Sequence, residues 1–270
     1  MIYLYFIFGI FIFLLGLSMG SFINALVYRI YEKKSLLDRS ECTKCHHKLN
    51  FWDLIPIFSF IFLSGKCRYC KTKISWQYPL VEFVTGIIFL LLFIKFLLEN
   101  DFLNCELSSL IDFSSNFIFS IILITIFIYD LKHYIIPDKV LFTGIIIGVL
   151  TITFKSFYNW SLEPVISHAF SMLIVFGFFL LLYLISKGKW IGAGDVKFGI
   201  LLGLIIPWPQ NLVMLFISFV LGAIIGLILL LLKKKKLKEK VPMGTFLVAG
   251  TFITIFLGDI ILNWYLNLIL

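Results

Sequence analysis

Eight stretches of this chain, near 2–28, 80–98, 113–131, 138–154, 165–186, 191–208, 211–232 and 243–262, are apolar for long enough to cross roughly 30 Å of hydrocarbon. The expected fold class follows: an all-α polytopic membrane protein of about eight transmembrane helices. With 61% hydrophobic residues and a mean hydropathy of +1.04, the chain lies outside the range of a soluble domain of this length. Its formal charge of +8 sits in a few short segments, so it reports orientation in the bilayer and implies no nucleic-acid partner. The first basic residue is Arg29, after the first apolar run, which predicts that residues 2–28 stay in place as a membrane helix.

Basic residues assign the loops to sides. Residues 29–79 are dense in Lys and Arg from Arg29 to Lys73, and 233–240 carries six lysines, so both are expected in the cytoplasm. Lys132 in loop 132–137, and Lys187 with Lys189 in loop 187–190, fall on the same side if every run crosses once. Loop 99–112 has acids and no Lys or Arg, which leaves Lys155 as the residue out of place and both termini outside. Lys233 to Lys236 read as a stop-transfer segment that contacts anionic lipid.

Two acids then fall where hydrocarbon meets water on one face. Asp130 follows Tyr129 at the end of the third run, and Asp195 follows Gly192-Ala193-Gly194 at the start of the sixth. A charge well inside a bilayer costs roughly 2.5–3.5 kcal/mol even on lenient insertion scales, so it is kept with a partner or a task. One such Asp alone reads equally well as a helix cap. Gly192 and Gly194 read as ordinary close packing, or as room for a backbone or substrate to approach. Two carboxylates sharing one water hold one proton between them, and one activates water while the other protonates a carbonyl. Helix dipoles predict Asp195, near a helix N-terminus, as the resting base and Asp130, near a C-terminus, as the resting acid.

The long basic loop carries Cys42-x-x-Cys45 and, after a gap of 21 residues, Cys67-x-x-Cys70. Paired thiolates in a reducing compartment favour a closed, structural zinc site over disulfides, with a redox pair or free thiols as the other reading. His46 and His47 are possible substitute ligands. Cys105 has no evident partner. Three divisions follow: a first helix at 1–28, a cysteine-rich cytoplasmic domain at 29–79, and a membrane domain at 80–270. Asp138 after Pro137 reads as the cap of the fourth run, and Asp259 with Trp264 as interface anchors, while His168 and Asn24 have no evident partner.

Taken in order, these pieces resemble the prepilin leader peptidases of type IV pilus, type II secretion and competence systems. The resemblance runs through Gly20-Ser21-Phe22-x-Asn24 with Arg29, the four cysteines, Ile55-Pro56, Gly65, Tyr78-Pro79-Leu80-Val81-Glu82 and Thr85-Gly86. It continues through Asp130 with Ile136-Pro137-Asp138, Gly192-x-Gly194-Asp195-Val196-Lys197, and Pro242 to Gly250. The chain departs from the family's usual prolines at Ile30-Tyr31-Glu32 and at Thr43. The resemblance implies a bilayer aspartic protease of the GxGD type, with Asp130 and Asp195 catalytic. Such an enzyme removes the basic leader of prepilin-like precursors at the cytoplasmic face, cutting after glycine. It also implies methylation of the new N-terminus from S-adenosylmethionine, tied to the cysteine loop and placing Gly65 in methyl transfer. Recognition is then expected from the substrate's hydrophobic helix packing between spans, with Glu32, Asp38, Glu41 or Asp53 as leader contacts. Other readings are a presenilin-like or preflagellin-type protease without methyl transfer, an ion or proton transporter, and a zinc-bearing scaffold. Acids clustered at one face argue against a transport path, which needs ionisable groups linking both faces.

Overall fold

A computed structural model describes residues 2–36, 38–100, 106–233 and 241–269. Cys105 and the lysines after Lys233 lie outside the described residues. Each apolar run forms a helix: α1 Ile2–Tyr31, α3 Gln77–Glu99, α4 Leu107–His133, α5 Asp138–Tyr158, α6 Glu163–Ser186, α7 Ala193–Ile205, α8 Gln210–Leu231 and α9 Met243–Ile269. The loop after α1 adds a 3-10 turn, Phe51–Asp53, and a short helix α2, Phe58–Phe62. The described residues contain no strand, only two isolated antiparallel bridges. Seven of the helices are long and apolar enough to cross a membrane. The eighth, α7, has 13 residues. At 1.5 Å per residue it spans about 20 Å, less than roughly 30 Å of hydrocarbon, yet its far end lies beside the first turns of α6, where Ser167 Oγ donates to the Trp208 carbonyl at 3.2 Å.

Helix α7 is a core helix. Phe198, Leu201 and Leu202 are fully buried, and α5, α6 and α9 pack around it. Lipid tails are as apolar as leucine, so close packing rather than the hydrophobic effect joins helices in a bilayer, and small residues allow it. A Cβ on Gly203 would collide with the Met172 backbone of α6, and one on Gly199 would lie 3.2 Å from the Val175 carbonyl. The helix ends at Ile205, with Ile206 capping it before Pro207, and Ser171 Oγ donates to the Ile206 carbonyl at 2.6 Å, satisfying a backbone group left free at that end.

Two compact units divide within α4, between residues 125 and 126. In the first, α1 and α3 pack through glycines: a Cβ on Gly16 would lie 2.8 Å from Gly86 Cα, and one on Gly20 would lie 2.5 Å from Glu82 Cα. Phe113 and Phe117 of α4 then stack against Phe96 and Phe89 of α3, at 4.5 Å between ring centres in each pair. In the second unit α8 and α9 pack so closely that a Cβ on Gly250 would collide with Ser218 Oγ and lie 2.9 Å from the Met214 carbonyl. Gln210 at the start of α8 bonds Asp259 of α9, which gives that expected interface anchor a partner within the protein.

Candidate active site

Asp130 and Asp195 both belong to the second unit, where the C-terminus of α4 and the N-termini of α5, α7 and α9 meet. Asp195 is the third residue of α7, and its Oδ2 accepts from the N–H of Gly192, the N-cap, at 3.2 Å. Asp130, 5% exposed, lies one turn before the end of α4. Its Oδ2 accepts from the Thr245 N–H, 115 residues away in the first turn of α9, at 3.1 Å. Ile136, buried in the segment joining α4 to α5, packs beside the first turns of both α7 and α9: its side chain would lie 3.5 Å from a Cβ on either Gly194 or Gly244.

This geometry removes the basis for separating the two acids by helix dipole. Asp130 does sit near the C-terminus of its own helix, but its carboxylate occupies the N-terminus of another, with a free N–H of α9 pointing at it. Both carboxylates therefore rest on helix N-termini, and the dipoles favour neither as the resting base.

The glycines differ in what they permit. A Cβ on Gly194 would make ordinary contact with Ile136, and one on Gly192 would lie 3.5 Å from Asp195 Oδ2. Gly244 is the strict one, because a Cβ there would lie 2.8 Å from Asp130 Oδ2 and 3.2 Å from its Cγ. Its only sequence signal was membership of the 242–250 segment, in a class of residue common at all membrane-helix contacts.

Asp138 requires a correction. Pro137 is the N-cap of α5 and Asp138 its first helical residue, because the proline sits in an extended conformation where the chain enters the helix. The Asp138 carboxylate instead takes Lys197 Nζ of α7 at 2.9 Å, and Lys197 also lies over the Phe142 ring. The pair ties the first turns of α5 and α7 together.

In the first unit the four cysteines converge, with Sγ atoms of Cys42, Cys45, Cys67 and Cys70 all within 4.8 Å of one another and Cys42 Sγ 3.8 Å from Cys70 Sγ. A tetrahedral metal with bonds of about 2.3 Å to sulfur has S···S edges of about 3.8 Å, so the donor set fits zinc. The two knuckles repeat one geometry. The N–H of Cys42 bonds the His47 carbonyl and that of Cys67 the Thr72 carbonyl, with His46 and Lys71 in left-handed conformation at matching places. The Thr72 hydroxyl and N–H draw the Cys70 thiol down to about 6, into the thiolate form that binds metal. His47 stacks on Tyr69, and His46 faces Glu41.

Around this cluster the loop is tied internally. Asp53 accepts from Arg68 at 2.6 Å, from the Asn50 N–H at 3.1 Å and from the Tyr69 hydroxyl at 3.2 Å, and Glu41 pairs with Lys34. Of the four acids expected to meet a basic leader, these two already have cationic partners, while Glu32 and Asp38 are exposed. Asn24, which had no evident partner, donates to the Tyr78 carbonyl and accepts from Gln77 at the start of α3. Sequence reasoning assigned nothing to Glu82. Its buried carboxylate accepts at 2.7 Å from the N–H of Ile57, which holds φ of +62° and ψ of −52° in a tight turn after Pro56. Such a conformation is strained for a β-branched residue and persists where its surroundings fix it. Gly65 takes φ of +67° and lies under the Phe60 ring, which a Cβ would meet at 3.1 Å.

Seven apolar helices, two carboxylates each held by an N–H at a helix N-terminus, and a four-sulfur loop define a multi-pass membrane protein with the elements of an aspartic peptidase. Residues 14–96 match the bacterial peptidase A24 N-terminal domain and residues 117–227 the type IV leader peptidase family. The chain belongs to the type IV leader peptidase family. It is similar to the prepilin leader peptidase/N-methyltransferase of Legionella pneumophila, 28% identical over 98% of this chain and 95% of the relative. The proteins of the same name from Aeromonas salmonicida and Pseudomonas aeruginosa are 26% and 25% identical, over 96% and 94% of this chain and 94% and 92% of their own length. No solved structure matches the chain.

Proposed function

We propose that this protein is a prepilin leader peptidase in which Asp130 and Asp195 cleave the basic leader from type IV prepilin-like precursors at the cytoplasmic face of the inner membrane. The observation that carries the reading is the convergence of these two acids, from helices distant in sequence, on one end of the second unit. The pair holds one proton. The ionised acid takes a proton from water as the water oxygen attacks the scissile carbonyl carbon, and the protonated acid gives its proton to the carbonyl oxygen. As the tetrahedral species collapses, a proton passes to the leaving nitrogen and the carbon–nitrogen bond breaks. The Gly192 and Thr245 N–H groups hold the two carboxylates throughout, and the Ile136 side chain packs beside the first turns of α7 and α9.

Division into a first helix at 1–28, a zinc-binding cytoplasmic domain at 29–79 and a peptidase domain at 80–270, with both termini outside, fits this chemistry. Zinc held by Cys42, Cys45, Cys67 and Cys70 has a full shell of four sulfurs, so its part is to fold the loop. Methylation of the new N-terminus is proposed from the names of the relatives, with S-adenosylmethionine as the methyl source and Gly65 as the residue tied to it. The described loop has no βαβ unit to hold a nucleotide, and no step of cleavage runs through the methyl donor. The test is full-length protein in lipid with a prepilin and mass spectrometry of the product N-terminus. Cleavage after the leader glycine is expected, with about 14 mass units added if the methyl donor is used. An uncut prepilin would refute the reading.

A further inference from the structure

The cysteine loop leaves large apolar side chains exposed on its short helix. Helix α2 turns Phe58, Ile61 and Phe62 outward, at 51%, 63% and 83% exposure, which is one helical face at spacings of three and four. The inner side of that helix is fixed: the Phe60 ring lies against Gly65 and 5.0 Å from the Trp76 ring. Trp76 in turn heads a stripe of exposed residues on α3, Leu80, Phe83, Val84, Leu91 and Ile94, which keep helical register along a membrane-spanning helix and so face lipid. The Phe60–Trp76 contact holds α2 at the head of that stripe and leaves Phe58, Ile61 and Phe62 exposed.

A second, independent observation lies four residues beyond α2. The two cysteine knuckles are equivalent, and each has an antiparallel bridge between the residue before its first cysteine and the third residue after its second. In the first knuckle the bridged pair is Glu41 and Lys48, of opposite charge; in the second it is Lys66 and Lys73, both exposed. Like charges directly across a bridge repel, and an anion between them removes the repulsion.

We propose that α2 lies in the boundary between headgroups and acyl chains of the leaflet that α1 and α3 enter, with Lys66 and Lys73 holding the phosphate of an anionic phospholipid. An interfacial element combines an apolar face with lysines in this way. The loop is thereby anchored to the bilayer along its length, and its distance from the surface is set by α2.

The test uses full-length protein in bilayer nanodiscs with a reporter on the exposed face, Phe62→Trp, and Phe58→Trp as a second reporter should the first fail to accumulate. The difference from the parent emission isolates the added indole. In discs containing phosphatidylglycerol, lipids brominated near the headgroup should quench it at least twofold, while aqueous iodide should leave it nearly unchanged. Replacing phosphatidylglycerol by phosphatidylcholine should cut the quenching by about half, and Lys66→Gln with Lys73→Gln should abolish that lipid dependence. An indole quenched by iodide and indifferent to brominated lipid overturns the proposal. So does quenching that does not depend on anionic lipid, or a dependence that survives loss of both lysines.

Discussion

Adding one carbon at Gly244 should disable the site while leaving the fold in place. A Cβ there would stand 2.8 Å from Asp130 Oδ2. Ordinary contact needs roughly 0.5 Å more. Helix α9 is pinned against α8 by Gly250, where a Cβ would collide with Ser218, so the Asp130 carboxylate is what yields. Moving it costs the bond from the Thr245 N–H, and a hydrogen bond to a charged group contributes about 1.5–3 kcal/mol. At about 1.4 kcal/mol per factor of ten, Gly244→Ala should lower kcat/KM for leader cleavage by roughly 10- to 150-fold. Gly194→Ala is the control, because its added carbon makes only ordinary contact with Ile136 and should cost several-fold less. The assay is prepilin cleavage in lipid, with thermal unfolding of each variant alongside. Full activity in Gly244→Ala, or a greater loss in Gly194→Ala, would refute the reasoning.

Three further outcomes follow from the same geometry. Cys42→Ser or Cys67→Ser should bring bound zinc, measured by elemental analysis, from about one per chain to near zero, and open residues 29–79 to limited proteolysis. Burial opposes ionisation of Asp53, but the Asn50 N–H, Arg68 and Tyr69 outweigh it and hold the carboxyl below its usual value. Its stabilisation is therefore present above about pH 4 and lost as pH falls through the lowered value, so Asp53→Asn should flatten the acid arm of loop stability read by proteolysis. Lys197→Met removes a solvent-exposed ion pair with Asp138, with an effect of at most about 1 kcal/mol, so kcat/KM should fall less than about fivefold.

Much of this was legible from local pattern. Each of the eight apolar runs coincides with a helix, though α4 begins six residues earlier and α9 ends seven later than the runs do, and the cysteine pairs marked their own cluster, because both signals are carried by neighbours in sequence. For α7, hydropathy reports that Phe198, Leu201 and Leu202 avoid water, not that α5, α6 and α9 rather than lipid cover them. What escaped was tertiary. Nothing near Asp130 announces that its carboxylate meets the first turn of α9, so the dipole assignment was drawn from the wrong helix. Gly244 and Glu82 were missed for a related reason, since a glycine or a single carboxylate acquires its meaning from an element far along the chain.

The central claim is that Asp130 and Asp195 act as one unit, and a double-mutant comparison measures it most directly. Cleavage of a prepilin in lipid by Asp130→Asn, Asp195→Asn and the double variant should show each single change costing at least about 1,000-fold and the double costing no more than either. A single variant that keeps substantial activity, or losses that multiply in the double, would contradict the account.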